Sequence, residues 1–414
     1  MAVETYRFDK SYEMFEKAKK YVPNGIYGPR SPLGLTFGSY PCFLVRGKGS
    51  HIWDVDGNEY IDYMCSFGTN IIGLCNDEVD AAARDQMTRG DAFTLPSNRW
   101  NEMAETLVNL IDGQDWTAFG KNGSDVTTYA VTIARGYTGK NKIIMANGAY
   151  HGAHFWCTHA VYGIPQEYKA HVLHFDYPNL EQLKKLVDEN KDDVAAIILT
   201  PHHHPAGSDQ WLPDASYYAE IKKLCQENKM LLILDDIRCG FRLHLHGSHV
   251  YYGADPDMIC FGKAMANGYP ISAITGKEYL KEAAAATFFT GTHFFSAVPM
   301  AASLACLKII ERDGIIPKIY ELGVKLQKGM EEQARSMGIE ISYTGHPAMP
   351  FMRFVGDADL SYNRFFCGEA AKRGVFFHPH HNWFISGAHT EEDIDRTLQV
   401  TEECFRLTKE KFYK

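Results

Sequence analysis

Between residues 116 and 262 the chain alternates two textures. Short apolar runs recur, "WTAFG", "KIIMA", "VAAIILT", "LLILD" and "MICFG". They are short for helices and too continuous for half-exposed strands, and strands buried on both faces read this way. Between them lie longer stretches with helical spacing, such as "DVTTYAVTIARGYTG" and "DASYYAEIKKLCQENK". Strand and helix in alternation predict an α/β fold whose parallel sheet is joined by right-handed crossovers. Upstream, residues 9–21 predict an amphipathic helix, and "HIWDVDGNEYIDY" alternates around Asp56-Gly57 as a hairpin does. Downstream, 316–337 predicts a long helix, "PFMRFVG" and "VFFHP" predict strands, and "TEEDIDRTLQVTEECFRL" a final helix. The pattern divides into an N-terminal helix and hairpin segment (1–65), a large domain (66–305) and a smaller α/β domain (306–414).

Composition narrows the function. The 414 residues are 45% hydrophobic and 22% charged, with a formal net charge of −9 and no basic block. Nucleic acid and anionic membranes are therefore not expected partners. No stretch approaches transmembrane length, and "MAVETYRFDKSYEMFEKAKKYV" mixes acids and lysines without the apolar centre of a signal peptide. The ten cysteines include no C-x-x-C pair and lie mostly in apolar runs, as reduced thiols of a cytoplasmic protein do.

In α/β sheets ligands bind at the carboxyl ends of the strands, so the residues after each apolar run are the ones to inspect. After "WTAFGK" comes "NGSDV", where Gly123 and Ser124 open a helix. The free N–H groups of a helix start can cradle a phosphate, though an ordinary capped helix has the same sequence. After "KIIMANGA" comes Tyr150-His151-Gly152, an aromatic able to cover a flat ring or simply a core tyrosine. After "LLIL" come Asp235 and Asp236, which an exposed strand end explains as cheaply. After "MICFG" comes Lys263 among small and apolar neighbours. Its stem can pack while its head reaches water, or its amine can lose a proton and form a Schiff base. Together the four suit one ligand with a phosphate, a flat ring, a basic ring nitrogen and an aldehyde. That description fits pyridoxal 5′-phosphate (PLP).

The order of these segments carries a resemblance. "YIDYMCSFGTNIIGL", "NGSDVTTYAVTIARGYTGKNKII", "YHG", "LLILDDIRCGFR", "FGKAMANGYPISAITG" and "ISGAHTEEDIDRTL" are similar to motifs of the class III aminotransferases. The resemblance spans nearly the whole chain and is nearest to the glutamate-1-semialdehyde aminomutase branch. It implies PLP-dependent transferase fold type I, a large domain with a mostly parallel sheet between helices plus a smaller C-terminal domain. It also implies that Lys263 carries the cofactor as an aldimine, that Asp235 pairs with the ring nitrogen, and that Tyr150, in the motif with His151, stacks on the ring. Gly123 and Ser124 would hold the phosphate. The functional unit would be a homodimer, with Thr292 reaching the neighbouring subunit's phosphate. The partners would be a small-molecule amino donor and a carbonyl acceptor.

Several positions depart from that family's pattern. Asp125 stands where glutamate is usual, and "TPHHHPAG" replaces E-P-x-x-G, placing His203 where a polar group often meets the cofactor's 3-hydroxyl. "AHFWCTHAVYGIPQEY" is bulkier than the aminomutases' small glycine/serine-rich loop, and Val298 replaces an asparagine in "GTHFFSAVP". Arg30, in "VPNGIYGPRSP", is either a substrate-carboxylate ligand or an exposed loop arginine. The changed loop and turn favour transfer between two substrates over an intramolecular aminomutase. Histidines at 202–204, at 244, 246 and 249, and at 378, 380 and 381 raise a metal-dependent hydrolase as the other class. None forms H-E-x-x-H, so no metal is expected. No G-x-G-x-x-G follows a strand, which argues against a dinucleotide oxidoreductase.

Overall fold

The computed structural model describes residues 5–190 and 192–413. These divide into two compact units, residues 77–205 with 210–316, and residues up to 76 with 206–209 and from 317 onward. In chain order the first strands are β1 (Leu44–Lys48), β2 (His51–Asp54) and β3 (Glu59–Asp62). Then come β4 (Trp116–Gly120), β5 (Lys142–Ala146), β6 (Val172–Phe175), β7 (Val194–Leu199), β8 (Leu231–Asp235), β9 (Met258–Phe261) and β10 (Ser272–Gly276). The last are β11 (Ile341–Thr344), β12 (Phe351–Phe354) and β13 (Val375–Phe376).

The larger unit is built on one seven-stranded sheet of order β4-β10-β9-β8-β7-β5-β6. β5 to β9 run parallel, and β10 runs antiparallel to both β4 and β9. Every residue of β7, β8 and β9 is buried, which is why those stretches read as unbroken apolar runs. The carboxyl ends of β4, β5, β7, β8 and β9 lie along one edge of the sheet. The antiparallel β10 enters at that same edge, where Ser272 pairs with Gly120 and Ala273 with Phe261. The segments that carry Gly123 and Ser124, Tyr150, His203, Asp235 and Lys263 therefore leave the sheet on the same side.

In the smaller unit β1, β2 and β3 form a meander extended by β13, which joins β3 in parallel; β11 and β12 form a separate pair. The expected turn at Asp56-Gly57 is present. The Asp54 carboxylate accepts the N–H groups of Asp56 and Asn58, each at 2.9 Å, and Gly57 takes φ +91°. The helices Asp9–Ala18 and Glu391–Phe412 match the expected ones, whereas only Val375–Phe376 of "VFFHP" pairs as strand. All ten cysteines are free, and eight are buried. No helix among the described residues is long and apolar enough to cross a membrane.

Candidate active site

The turns after β4, β5, β8 and β9, at the carboxyl edge of the sheet, carry the groups expected to meet the ligand's phosphate, ring and aldehyde. β4 leads into the helix Gly123–Thr138. Its entry is fixed by Asp125, whose carboxylate accepts the N–H groups of Lys121 at 3.0 Å and Asn122 at 2.7 Å. Asp125 thus does the work of a capping acid. The first amides of the helix have no acceptor within it and stand at its positive end, available to an anion.

The turn after β5 is pinned against that helix start. Thr127 donates to the carbonyl of His151 at 2.8 Å, and the Ala153 N–H donates to Ser124 Oγ at 3.0 Å. Gly152 has φ +126°, and a Cβ there would lie 2.5 Å from Ser124 Oγ. Only glycine lets the two segments come this close. A Cβ on Gly123 would likewise lie 2.6 Å from Ile237 Cδ1, so the helix start and the turn after β8 are also in contact. Tyr150 is half-exposed, its ring stacked at 6.2 Å on His159, as a ring covering an open crevice should be.

Asp235 ends β8 and is buried at 4% exposure. One carboxylate oxygen lies 2.7 Å from His151 Nδ1 and the other accepts the Ile237 N–H at 3.3 Å. His151 is itself buried, and its Nε2 has no partner among the described residues. Asp236 turns the other way: it is fully buried and accepts the Ser248 N–H at 2.8 Å. Burial raises its pKa to about 7. The two adjacent acids thus serve different ends.

Lys263 follows β9, two residues after Phe261, with φ +44°. A non-glycine residue enters this left-handed region at a cost of about 1–2 kcal/mol, and such strain collects at functional positions. Lys263 is neither fully buried nor freely exposed. Loss of water around the ammonium, with repulsion from Arg238, lowers its pKa to about 7, against the pull of Asp235. At neutral pH about half of an amine so placed is unprotonated, and that fraction is nucleophilic. Amine, buried carboxylate and amide cradle on one sheet edge fit a flat, phosphorylated carbonyl compound.

The remaining candidates are placed as follows. His203 pairs with Trp211 through its backbone, stacks on Tyr177 at 4.9 Å, and is held neutral by burial, with a pKa of about 4. Thr292 is exposed. Arg30 belongs to the smaller unit, in the turn Gly28–Arg30, its guanidinium 4.9 Å from the Phe67 ring centre. The histidines at 202–204 and 244–249 are engaged in structural contacts: His202 with Gln210 and Tyr252, His246 with the Leu110 carbonyl, His249 with that of Asp112. Among the described residues no group of three or more His, Cys, Asp and Glu is arranged to hold a metal. Two contacts were not read from the sequence, the His151–Asp235 bond and an Arg238–His204 bond. An arginine three residues past a strand-end acid was the available signal for the second.

A family model described as aminotransferase class-III matches residues 36–390. An aminopentol aminotransferase of Sphingopyxis macrogoltabida is 38% identical over 393 residues, 95% of this chain and 93% of that one. A 3-aminobutyryl-CoA aminotransferase of Cloacimonas acidaminovorans is 38% identical over 411 residues, 98% and 99% of the two chains. Several glutamate-1-semialdehyde 2,1-aminomutases are 30–32% identical. Among solved structures, the PLP internal aldimine form of the Sphingopyxis sp. MTA144 FumI protein superposes with a TM-score of 0.96 at 37% identity, covering 98% of each chain.

Proposed function

The chain belongs to the class III aminotransferase family, and we propose that it is a PLP-dependent aminotransferase moving an amino group from an amino-acid donor to a keto or aldehyde acceptor. The observation that carries the reading is the convergence of Lys263, Asp235 with His151, and the Gly123–Ser124 helix start on one sheet edge. When bound, the cofactor supplies an aldehyde for the amine and a protonated ring nitrogen into which negative charge can spread.

The protein's own groups do the rest. The amides of Gly123 and Ser124, at the positive end of their helix, hold the phosphate dianion. The Asp235 carboxylate, oriented by His151, keeps a proton on the ring nitrogen by placing a negative charge beside it in a buried site. Tyr150 covers one face of the ring, and His203 serves as a neutral contact for its hydroxyl. Lys263 Nζ, with its lowered pKa, takes the proton from the donor carbon that bears nitrogen and delivers a proton on the other side of the same bond system. Arg30 is the candidate partner for a substrate carboxylate. Thr292, exposed on its own subunit, reaches the phosphate of a second one in a homodimer. Ten free thiols suit a reducing compartment, and we place the enzyme in the cytoplasm.

Transfer between two substrates is favoured over intramolecular rearrangement by the segment after Gly152. Trp156 donates to Thr128 Oγ1 at 2.8 Å, His154 Nδ1 lies 2.8 Å from the same hydroxyl, and Phe155 packs on Tyr168 at 5.0 Å. This bulky segment is tied to the helix Gly123–Thr138 rather than built of small residues free to close over an intermediate. The test is a screen of amino donors against the PLP-loaded protein, followed by absorbance. A donor should convert the cofactor to its amine form, and a keto or aldehyde acceptor should restore it. Efficient isomerisation of glutamate 1-semialdehyde with no donor present would instead establish the aminomutase.

A further inference from the structure

We propose that the amino edge of the larger unit's sheet, opposite the Lys263 edge, carries a second binding site, for a phosphate monoester that bears a flat ring. A cavity of about 650 Å³ opens there, within the range usual for small-molecule sites. It collects residues that precede β8 and β9 and residues that follow the antiparallel β10. The helix Gly123–Thr138, which starts at the Lys263 edge, ends here with Tyr137 and Thr138. All of the lining residues belong to the larger unit.

Charge sets this cavity apart. The chain carries a net −9, yet the lining holds Lys140, Lys222, Lys229 and Lys277 against only Asp255 and Asp257, an excess of two positive charges. Both acids are already engaged. Asp257 is buried, and one of its oxygens accepts from Lys222 Nζ at 2.5 Å and from the Tyr279 hydroxyl at 2.6 Å. The other oxygen accepts the Leu232 N–H at 2.7 Å. Asp255 pairs with Lys277 and lies 3.3 Å from Lys222 Nζ. The acids thus fix Lys222, Lys277 and Tyr279 in place, and Lys140 and Lys229 are the cations they do not hold.

Helix ends attract lysines by themselves, and Lys140 Nζ donates to the Asn228 carbonyl at 2.7 Å, just past the helix Ala215–Glu227. That does not account for Lys229, whose ammonium has neither hydrogen bond nor ion pair among the described residues. Lys229 also takes φ +51°, at the position after a helix where glycine is the easy residue, and the Met230 N–H closes the turn on the Cys225 carbonyl at 2.9 Å. A side chain there is strained, and what it supplies is an amine that lines the cavity. The walls suit a ring. Tyr137 and Tyr279 are half-exposed, with ring centres 5.7 Å apart and planes at 46°, and Met230 and Leu231 add apolar surface. A phosphate dianion matches the two surplus charges, and a flat ring matches the tyrosines. A mononucleotide and a free pyridoxine phosphate share that chemistry.

Isothermal titration of the PLP-loaded protein tests this, because the cofactor fills the Gly123–Ser124 cradle and removes it as a competing phosphate site. Adenosine 5′-monophosphate and pyridoxine 5′-phosphate are the probes, with inorganic phosphate as the reference. At least one of the two should bind about tenfold or more tightly than phosphate alone, and the tighter one names the source. Lys229→Gly removes the amine at a position that glycine occupies without strain, so the fold is kept. It should weaken that probe about tenfold and leave the rate of amine transfer unchanged. Tyr137→Ala should weaken the same probe about fivefold and leave phosphate binding as it was. Neither probe binding more tightly than phosphate, or an affinity unmoved by Lys229→Gly, overturns the proposal and leaves the lysines as helix-end and ion-pair partners only.

Discussion

Replacing Lys263 by Met in the cofactor-free protein should stabilise the fold, and the gain should depend on pH in one direction. The lysine's pKa falls from its ordinary 10.5 to about 7 on folding. Each unit is worth about 1.4 kcal/mol, so the whole displacement amounts to about 5 kcal/mol as an upper bound. Lys263 keeps part of its surface in contact with solvent, and screening brings the expected effect to roughly 2 kcal/mol. Between pH 7 and about 10.5 the unfolded chain holds the proton and the folded chain does not, so wild-type stability rises with pH across that window. The methionine variant has no such dependence at this site. Its advantage should be complete below pH 7 and gone above about pH 10. Urea denaturation of the two cofactor-free proteins at pH 6, 8 and 10 measures this directly. A variant no more stable than wild type at pH 6, or an advantage that grows with pH, would refute the claim that Lys263 is held against its own charge.

Asp235→Asn should leave the fold intact yet slow proton abstraction about 10²-fold or more, because the ring nitrogen loses its compensating charge. Single-turnover absorbance with a good donor reads this, and near wild-type rates would remove Asp235 from the chemistry. Gly152→Ala meets Ser124 Oγ at 2.5 Å and carries a side chain at φ +126°. It should weaken cofactor retention on dialysis, whereas unchanged retention would mean the turn after β5 does not shape the cradle. Light scattering should report a dimer, and a stable, fully active monomer would contradict the assignment of Thr292 to a neighbouring subunit.

The legible part of this structure is what lies in a single stretch of chain. β7, β8 and β9 show themselves because burial on both faces demands unbroken apolar sequence, and the groups that follow them are exposed to reading for the same reason. β6 and β10 escape. "VLHF" places His174 on an outer position of an edge strand, and "SAITG" is small and polar-ended. Neither has the apolar signature, and the antiparallel entry of β10 follows from tertiary pairing alone. Within the site, Lys263, Asp235 and the helix start were readable from strand-end position and residue type. The His151–Asp235 and Arg238–His204 bonds join residues 84 and 34 positions apart, and they form only because the strands fall into this order. Asp235 and Asp236 are adjacent letters, and only the fold shows one facing His151 and the other accepting from Ser248.

The central claim is that one amine, on Lys263, holds the cofactor. Borohydride reduction of the PLP-loaded protein, followed by peptide mapping, tests it most directly. The visible absorbance band should be lost and a stable pyridoxyl group should appear on Lys263, absent from Lys263→Ala. Recovery of that group on any other lysine, or an unchanged label in Lys263→Ala, would contradict it.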